Sequence, residues 1–278
     1  MARAAANGIE LEYEIIGGGD GDAAPMLVIM GFTMQMIQWP DGFLERLAAR
    51  GFRIVRFDNR DVGLSSKVER PYALDDMADD AAGLLDAVGI PAAHVVGVSM
   101  GGFIAQLLTL RHPERVSSLA SIMSSTGARD VGGPHPDLVP MLMTPPPADR
   151  AAYIETRLAI ARRLTGATLP SDEARTRASF TRAYDRCFYP QGIARQFHAI
   201  ISASDRTAAL GAVRARTLVI HGTDDPLVDP SGGDATARAI PGARLVRIPG
   251  MGHDLPEAAW DTIIAAIAEN AGSAPPRR

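Results

Sequence analysis

The chain has 278 residues, 46% of them hydrophobic and 22% charged, with a formal net charge of −4. That composition can bury the core of one elaborated α/β domain or two small ones. The net negative charge excludes bulk attraction to DNA, RNA or an anionic membrane, so neither nucleic acid nor membrane is an expected partner.

In chain order, residues 9–16 have strand character and end at Gly17-Gly18-Gly19. Residues 26–30 and 53–57 are short apolar runs of the kind that form buried strands. Helical periodicity fills 41–50 and 74–88, where Leu74, Met77, Ala81, Leu84, Leu85 and Val88 share a face. Gly51 and Gly89 stand where helices stop. A strand over 94–98, a helix over 101–111 and a strand over 118–123 follow. This β-α-β-α rhythm predicts a mostly parallel sheet with helices on both faces.

The rhythm breaks between 128 and 205. Gly132-Gly133-Pro134 and Pro145-Pro146-Pro147 punctuate the segment, and helical stretches are predicted at about 149–164, 171–186 and 190–203. No buried strand is read there. The expected organisation is a core of 1–127 and 206–278 carrying a helical cap over 128–205. The arginines between 150 and 216 are mixed with acids and read as a solvated helical surface. The rhythm resumes with a strand over 216–221, a helix over 231–239, a strand over 244–248 and a helix over 255–271. Residues 272–278 read as a disordered tail.

No apolar stretch of the first ten residues resembles a secretory signal, and the apolar runs are strand-sized, so a cytoplasmic location is expected. A lone cysteine, Cys187, allows no intrachain disulfide and has no catalytic constellation around it.

The strongest motif is Gly97-Val98-Ser99-Met100-Gly101, a G-x-S-x-G between an apolar strand and a helix. A nucleophile turned out of so tight a corner needs a positive φ and small neighbours two residues away on either side. A serine hydroxyl needs a base. The best candidate is His253, in a glycine-rich loop after the last predicted strand, at the sheet edge where Ser99 stands. His94 and His221 sit at strand ends and read as structural. His112 precedes Pro113, and His135 and His198 lie in the insertion. The acid that orients the base is expected at Asp225, after the strand 216–221; Asp224 is its rival, and Asp229 is better suited to capping the next helix. Backbone donors for an oxyanion are expected at Met100, after the nucleophile, and at Phe32, after Gly31.

Val28-Ile-Met-Gly-Phe, Trp39-Pro-Asp, Arg56-Phe-Asp-Asn-Arg-Asp-Val-Gly-Leu-Ser, His94-Val-Val-Gly-Val-Ser-Met-Gly and Ile248-Pro-Gly-Met-Gly-His together resemble the α/β-hydrolase superfamily. Within it, they look like the aclacinomycin methylesterase group and related carboxylesterases. The resemblance implies an α/β-hydrolase fold and cleavage of a small-molecule ester without metal or cofactor. It implies Ser99 as nucleophile, Asp225 and His253 as its partners, and Phe32 and Met100 as oxyanion donors. Many superfamily members carry His-Gly at the oxyanion strand, where this chain has Met30-Gly31. Met34, Met141, Met143 and His198 are the candidate substrate contacts, because methionine adapts to varied apolar shapes. Arg60 and Asp61 are expected to tie a loop near the site through charged hydrogen bonds. Lactone opening, C–C hydrolysis, perhydrolysis and a receptor without turnover remain as alternatives. A carboxylate-dependent dehalogenation does not fit a serine at position 99.

Overall fold

The structure, a computed structural model, describes residues 1–18 and 23–272, apart from the side chains of 142 and 143. Its centre is an eight-stranded sheet in the order β1-β2-β4-β3-β5-β6-β7-β8. The strands are β1 (Ala2–Ala6), β2 (Ile9–Ile16), β3 (Ala24–Ile29), β4 (Phe52–Phe57), β5 (Ala93–Val98), β6 (Val116–Ile122), β7 (Arg216–Gly222) and β8 (Arg244–Ile248). β1 and β2 pair antiparallel with their neighbours, and from β4 to β8 every pairing is parallel.

Alternate residues of the central strands face opposite layers, as the two-residue period of a strand requires. Leu27, Ile29, Val55, Val95 and Leu119 join one core with α2 (Leu74–Ala87) and α3 (Met100–Arg111). Met26, Val28, Ile54, Val96, Val98 and Ile122 join the other, under α1 (Asp41–Ala48) and α10 (Glu257–Asn270). Strands covered on both faces are buried twice over, which is why β3 and residues 95–98 of β5 read as continuous apolar runs. Gly51 and Gly89 take φ of +90° and +67° behind α1 and α2, the left-handed conformation that ends a helix at low cost.

Between β6 and β7 lie α4 (Val139–Met143), α5 (Arg150–Leu164), α6 (Glu173–Arg186) and α7 (Gln191–Ile201), with no strand among the described residues. Asp149 and Asp172 fix where α5 and α6 begin. Each carboxylate accepts a first-turn backbone N–H, from Ala152 at 2.8 Å and Arg175 at 3.0 Å. α8 (Thr207–Leu210) and α9 (Ser231–Ala239) return the chain to the sheet layers.

β1 escapes the sequence reading. Its Ala-Arg-Ala-Ala-Ala has low strand propensity and no alternation. The signal that marks it is Asn7-Gly8, with φ of +49° and +76°, a two-residue hairpin connection into β2. Most of the tail expected to be disordered, 273–278, lies outside the described residues, as does Gly19. No described helix is long and apolar enough to cross a membrane.

Leu119 is fully buried at the centre of β6. Leu119→Ala is expected to lower unfolding stability by about 2–5 kcal/mol. Urea denaturation would show a lower midpoint at unchanged slope; an unshifted midpoint would contradict this packing.

Candidate active site

β5 ends at Val98, and Ser99 makes the corner into α3 with φ +55° and ψ −123°. Serine in this region is strained, at a cost of about 1–3 kcal/mol, and the surroundings must enforce it. They do so by crowding. A Cβ on Gly97 would lie 2.1 Å from the Gly101 carbonyl oxygen, and one on Gly101 would lie 2.1 Å from the Ile29 carbonyl oxygen. The Ser99 amide donates to the Ile122 carbonyl at 2.9 Å, fastening the corner to β6. The serine is thereby lifted out of the sheet edge, and it remains partly accessible.

The loops after β7 and β8 end at the same edge, because their strands are parallel to β5. The loop after β8 brings His253 to Ser99: its Nε2 lies 2.9 Å from Ser99 Oγ. The loop after β7 supplies Asp225, whose Oδ2 accepts from His253 Nδ1 at 2.8 Å. With Nδ1 protonated in this way, Nε2 is left as the acceptor for the serine proton.

Asp225 is almost fully buried. Burial pushes its carboxyl upward, but the His253 charge and hydrogen bonds from His221, His253 and the Val228 amide outweigh that and hold it well below the usual carboxylate range. Its other oxygen accepts from the amides of Leu227 and Val228, both at 2.9 Å. The rival, Asp224, is exposed and accepts from the Thr223 hydroxyl. Asp229 accepts from Ser231 N at the start of α9.

His221 has its own place here. Its Nε2–H donates to the Val228 carbonyl at 2.8 Å and lies 3.3 Å from Asp225 Oδ2, so it backs the acid rather than the serine. His94 meets Ser118 and His112 meets Asp79, so neither bonds to Ser99, Asp225 or His253.

The loop after β3 passes directly over the serine. A Cβ on Gly31 would come within 3.1 Å of Ser99 Cβ. Phe32 N and Met100 N enter no turn, loop or cap hydrogen bond among the described residues, so both are free to donate. Thr33 follows with φ +63°, unusual for a β-branched residue.

Of the expected substrate contacts, Met34 is half-buried and packs against Ile154, Leu158 and Phe180 of the insertion. Met141 is half-buried on α4, and the side chain of Met143 lies outside the described ones. The expectation for His198 needs correction. α7 turns Gly192, Gln196 and Ala199 inward, so His198 falls on its exposed side. Sequence reasoning missed the inward residues Gln196 and Arg157. Arg157 Nη2 meets the Thr33 hydroxyl at 3.3 Å and Met34 Sδ at 3.8 Å, while its guanidinium lies over the Phe180 ring. The α7 periodicity, with Gly192, Gln196 and Ala199 on one stripe, is the signal that could have found Gln196.

Arg60 and Asp61 have the structural roles expected of them. Arg60 makes a two-pronged pair with Asp80 of α2, at 2.6 and 2.7 Å. Asp61 pairs with Arg195 of α7, at 2.7 and 3.1 Å. Asp58 also receives Arg186 of α6 at 2.6 Å. A cavity beside the loop after β3 is lined by Thr33, Gln35, Asp61, Tyr153 and Phe188, but not by Ser99.

Residues 24–257 match the model of the alpha/beta hydrolase fold family. The chain is 36% identical to the rhodomycin D methylesterase DauP of Streptomyces sp. (strain C5), over 90% of this chain and 92% of that protein. The identity to the rhodomycin D methylesterase DnrP of Streptomyces peucetius is also 36%, with the same coverage. Among solved structures, an enol-lactonase from Burkholderia xenovorans LB400 superposes with a TM-score of 0.80 at 25% identity, over 98% of this chain and all of that one.

The arrangement separates the two neighbouring acids sharply. Asp225→Asn is expected to lower kcat on the order of 10⁴-fold, because the amide favours the wrong imidazole tautomer. Asp224→Asn should stay within about threefold of the parent, as expected for an exposed side chain outside the site. Steady-state kinetics on the purified pair decides it, and the reverse ranking would move the acid by one residue.

Proposed function

Because the chain belongs to the alpha/beta hydrolase fold family, we propose that it is a serine carboxylesterase that hydrolyses short-chain or methyl esters of small molecules. Ester hydrolysis at this coarse level is supported by the two methylesterase relatives. The observation that carries the finer reading is the position of His253, 2.9 Å from Ser99 Oγ on one side and 2.8 Å from Asp225 Oδ2 on the other.

On this reading, Ser99 Oγ attacks the ester carbonyl as its proton passes to His253 Nε2. The carbonyl oxygen takes up the negative charge and is met by the amides of Phe32 and Met100. Asp225, ionised and buried, stabilises the imidazolium that forms. Collapse of the tetrahedral intermediate breaks the bond to the alcohol, which leaves with the proton from His253. A water then gives its proton to His253 Nε2 and attacks the acyl-enzyme. The second tetrahedral intermediate releases the acid and returns the proton to Ser99. No step needs a group beyond the side chains and amides named here.

The helices α4–α7 are proposed to act as a cap, and their side chains, Met34's neighbours on α5 and α6 among them, to shape the space for the substrate. The backbone amides do the work assigned to the oxyanion hole, so Met30 in place of the frequent histidine leaves it intact. Lactone opening is the second reading, favoured by the likeness to the enol-lactonase. It uses the same bond chemistry, with the leaving alcohol still tethered to the acyl group.

Hydrolysis of p-nitrophenyl esters from acetate to long chains, wild type beside Ser99→Ala, tests the proposal. Fast release on the short chains, lowered on the order of 10⁶-fold by the substitution, is expected from the loss of a nucleophile. A folded Ser99→Ala protein with near wild-type rates would remove Ser99 from the chemistry.

A further inference from the structure

Gln196 on α7 has no exposed surface and no role in the chemistry above. Its side-chain Oε1 accepts from the Thr33 amide at 2.9 Å, and its Nε2 donates to the Arg60 carbonyl at 3.0 Å. The two partners settle which end is which: the Thr33 N–H can only donate and the Arg60 C=O can only accept. The far end of this bridge is anchored, since the Arg60 side chain is itself buried and paired to Asp80. The neighbours of Gln196 reinforce the contact. Arg195 is paired to Asp61, and Phe197 meets Phe32 with ring centroids 6.1 Å apart.

The near end of the bridge is the notable one. Thr33 holds φ +63°, a conformation that glycine adopts freely and a β-branched residue does not. The residue before it is Phe32, whose amide lies in the same turn, closed by the Met34 amide donating to Gly31 at 3.2 Å. If Thr33 relaxed to negative φ, this turn would open, and the Phe32 peptide would rotate away from Ser99. Among the described residues, the acceptor that holds the Thr33 amide comes from the insertion and not from the core.

We propose that Gln196 is a positioning residue for ester hydrolysis: by bridging Thr33 and Arg60 it holds the loop after β3 in the strained bend that aims the Phe32 amide at the oxyanion. The inference rests on the reading of Phe32 as an oxyanion donor. It makes the insertion a part of the catalytic geometry, beyond any part in shaping the substrate space. Its action falls on the intermediates rather than on substrate binding, so the loss belongs in kcat.

The test measures kcat and KM on a short p-nitrophenyl ester for the wild type, Gln196→Met, Thr33→Gly and the double variant, with Ser99→Ala in parallel. Methionine keeps the volume of glutamine but removes both hydrogen bonds. Gln196→Met is expected to lower kcat about ten- to a hundredfold, the scale of a displaced oxyanion donor, with KM changed less than about threefold. Glycine at 33 takes positive φ without help. The penalty of Gln196→Met in the Thr33→Gly background should therefore shrink to below about threefold. Should Gln196→Met not fold, Gln196→Leu likewise removes both hydrogen bonds with little change of volume, and the same shrinkage is expected. An undiminished penalty in the Thr33→Gly background, a loss confined to KM, or wild-type kcat would overturn the proposal. Full activity in Ser99→Ala would instead overturn the reading of the site on which it rests.

Discussion

The close approach of three backbones at the carboxyl end of β5 is the constraint on which the site depends. There the Ser99 corner, the start of α3 and the loop after β3 are packed so tightly that a single methyl at Gly97 or Gly101 would overlap a carbonyl oxygen. This closeness forces Ser99 into positive φ and sets its side chain on the open edge of the sheet. It also brings Gly31 over the serine and, among the described residues, leaves the first amide of α3 without a backbone acceptor. The Ser99 corner and the position of the Met100 amide thus have one steric origin.

The parallel sheet supplies the rest. Strands that point one way end at one edge, so the loops after β5, β7 and β8 meet although Ser99 and His253 lie 154 residues apart. The order of events along the chain is irrelevant to that meeting; only the direction and adjacency of the strands matter. Asp225 then orients the imidazole from a buried position, and the amides of Leu227 and Val228 with His221 behind them keep the carboxylate satisfied.

The insertion is bound to this edge by polar contacts beside the apolar ones of Met34 and Phe32. Arg186 reaches Asp58, Arg195 reaches Asp61, and Gln35 donates to the carbonyls of Ala183 and Cys187. The His253 loop is held likewise: its amide donates to the Leu164 carbonyl at 2.7 Å, at the end of α5. The fit there is close as well, since a Cβ on Gly252 would lie 2.1 Å from that same carbonyl oxygen. Directional bonds of this kind specify one arrangement of two surfaces more sharply than apolar contact does, because a small displacement leaves buried groups unpaired.

Local chemistry made much of this legible in the sequence. Short apolar runs mark β3, β4 and β5, the 3.6-residue period marks the long helices, and Gly51 and Gly89 mark helix ends. Gly97-Val98-Ser99-Met100-Gly101 carries its own steric explanation, and the loop position of His253 follows from strand direction. What the sequence determined was therefore whatever depends on neighbours a few residues away or on the common direction of parallel strands. Asp225 was separable from Asp224 only by preference, since adjacent residues share every local signal and differ in which side of the loop they face; the fold buries one and exposes the other. The turn of α7 sets His198 on its exposed side and Gln196 inside, a difference that lying in the same insertion does not reveal. Contacts such as Gln196 with Thr33, separated by 163 residues, exist only when two distant surfaces are set against each other, and no periodicity within either segment encodes that distance.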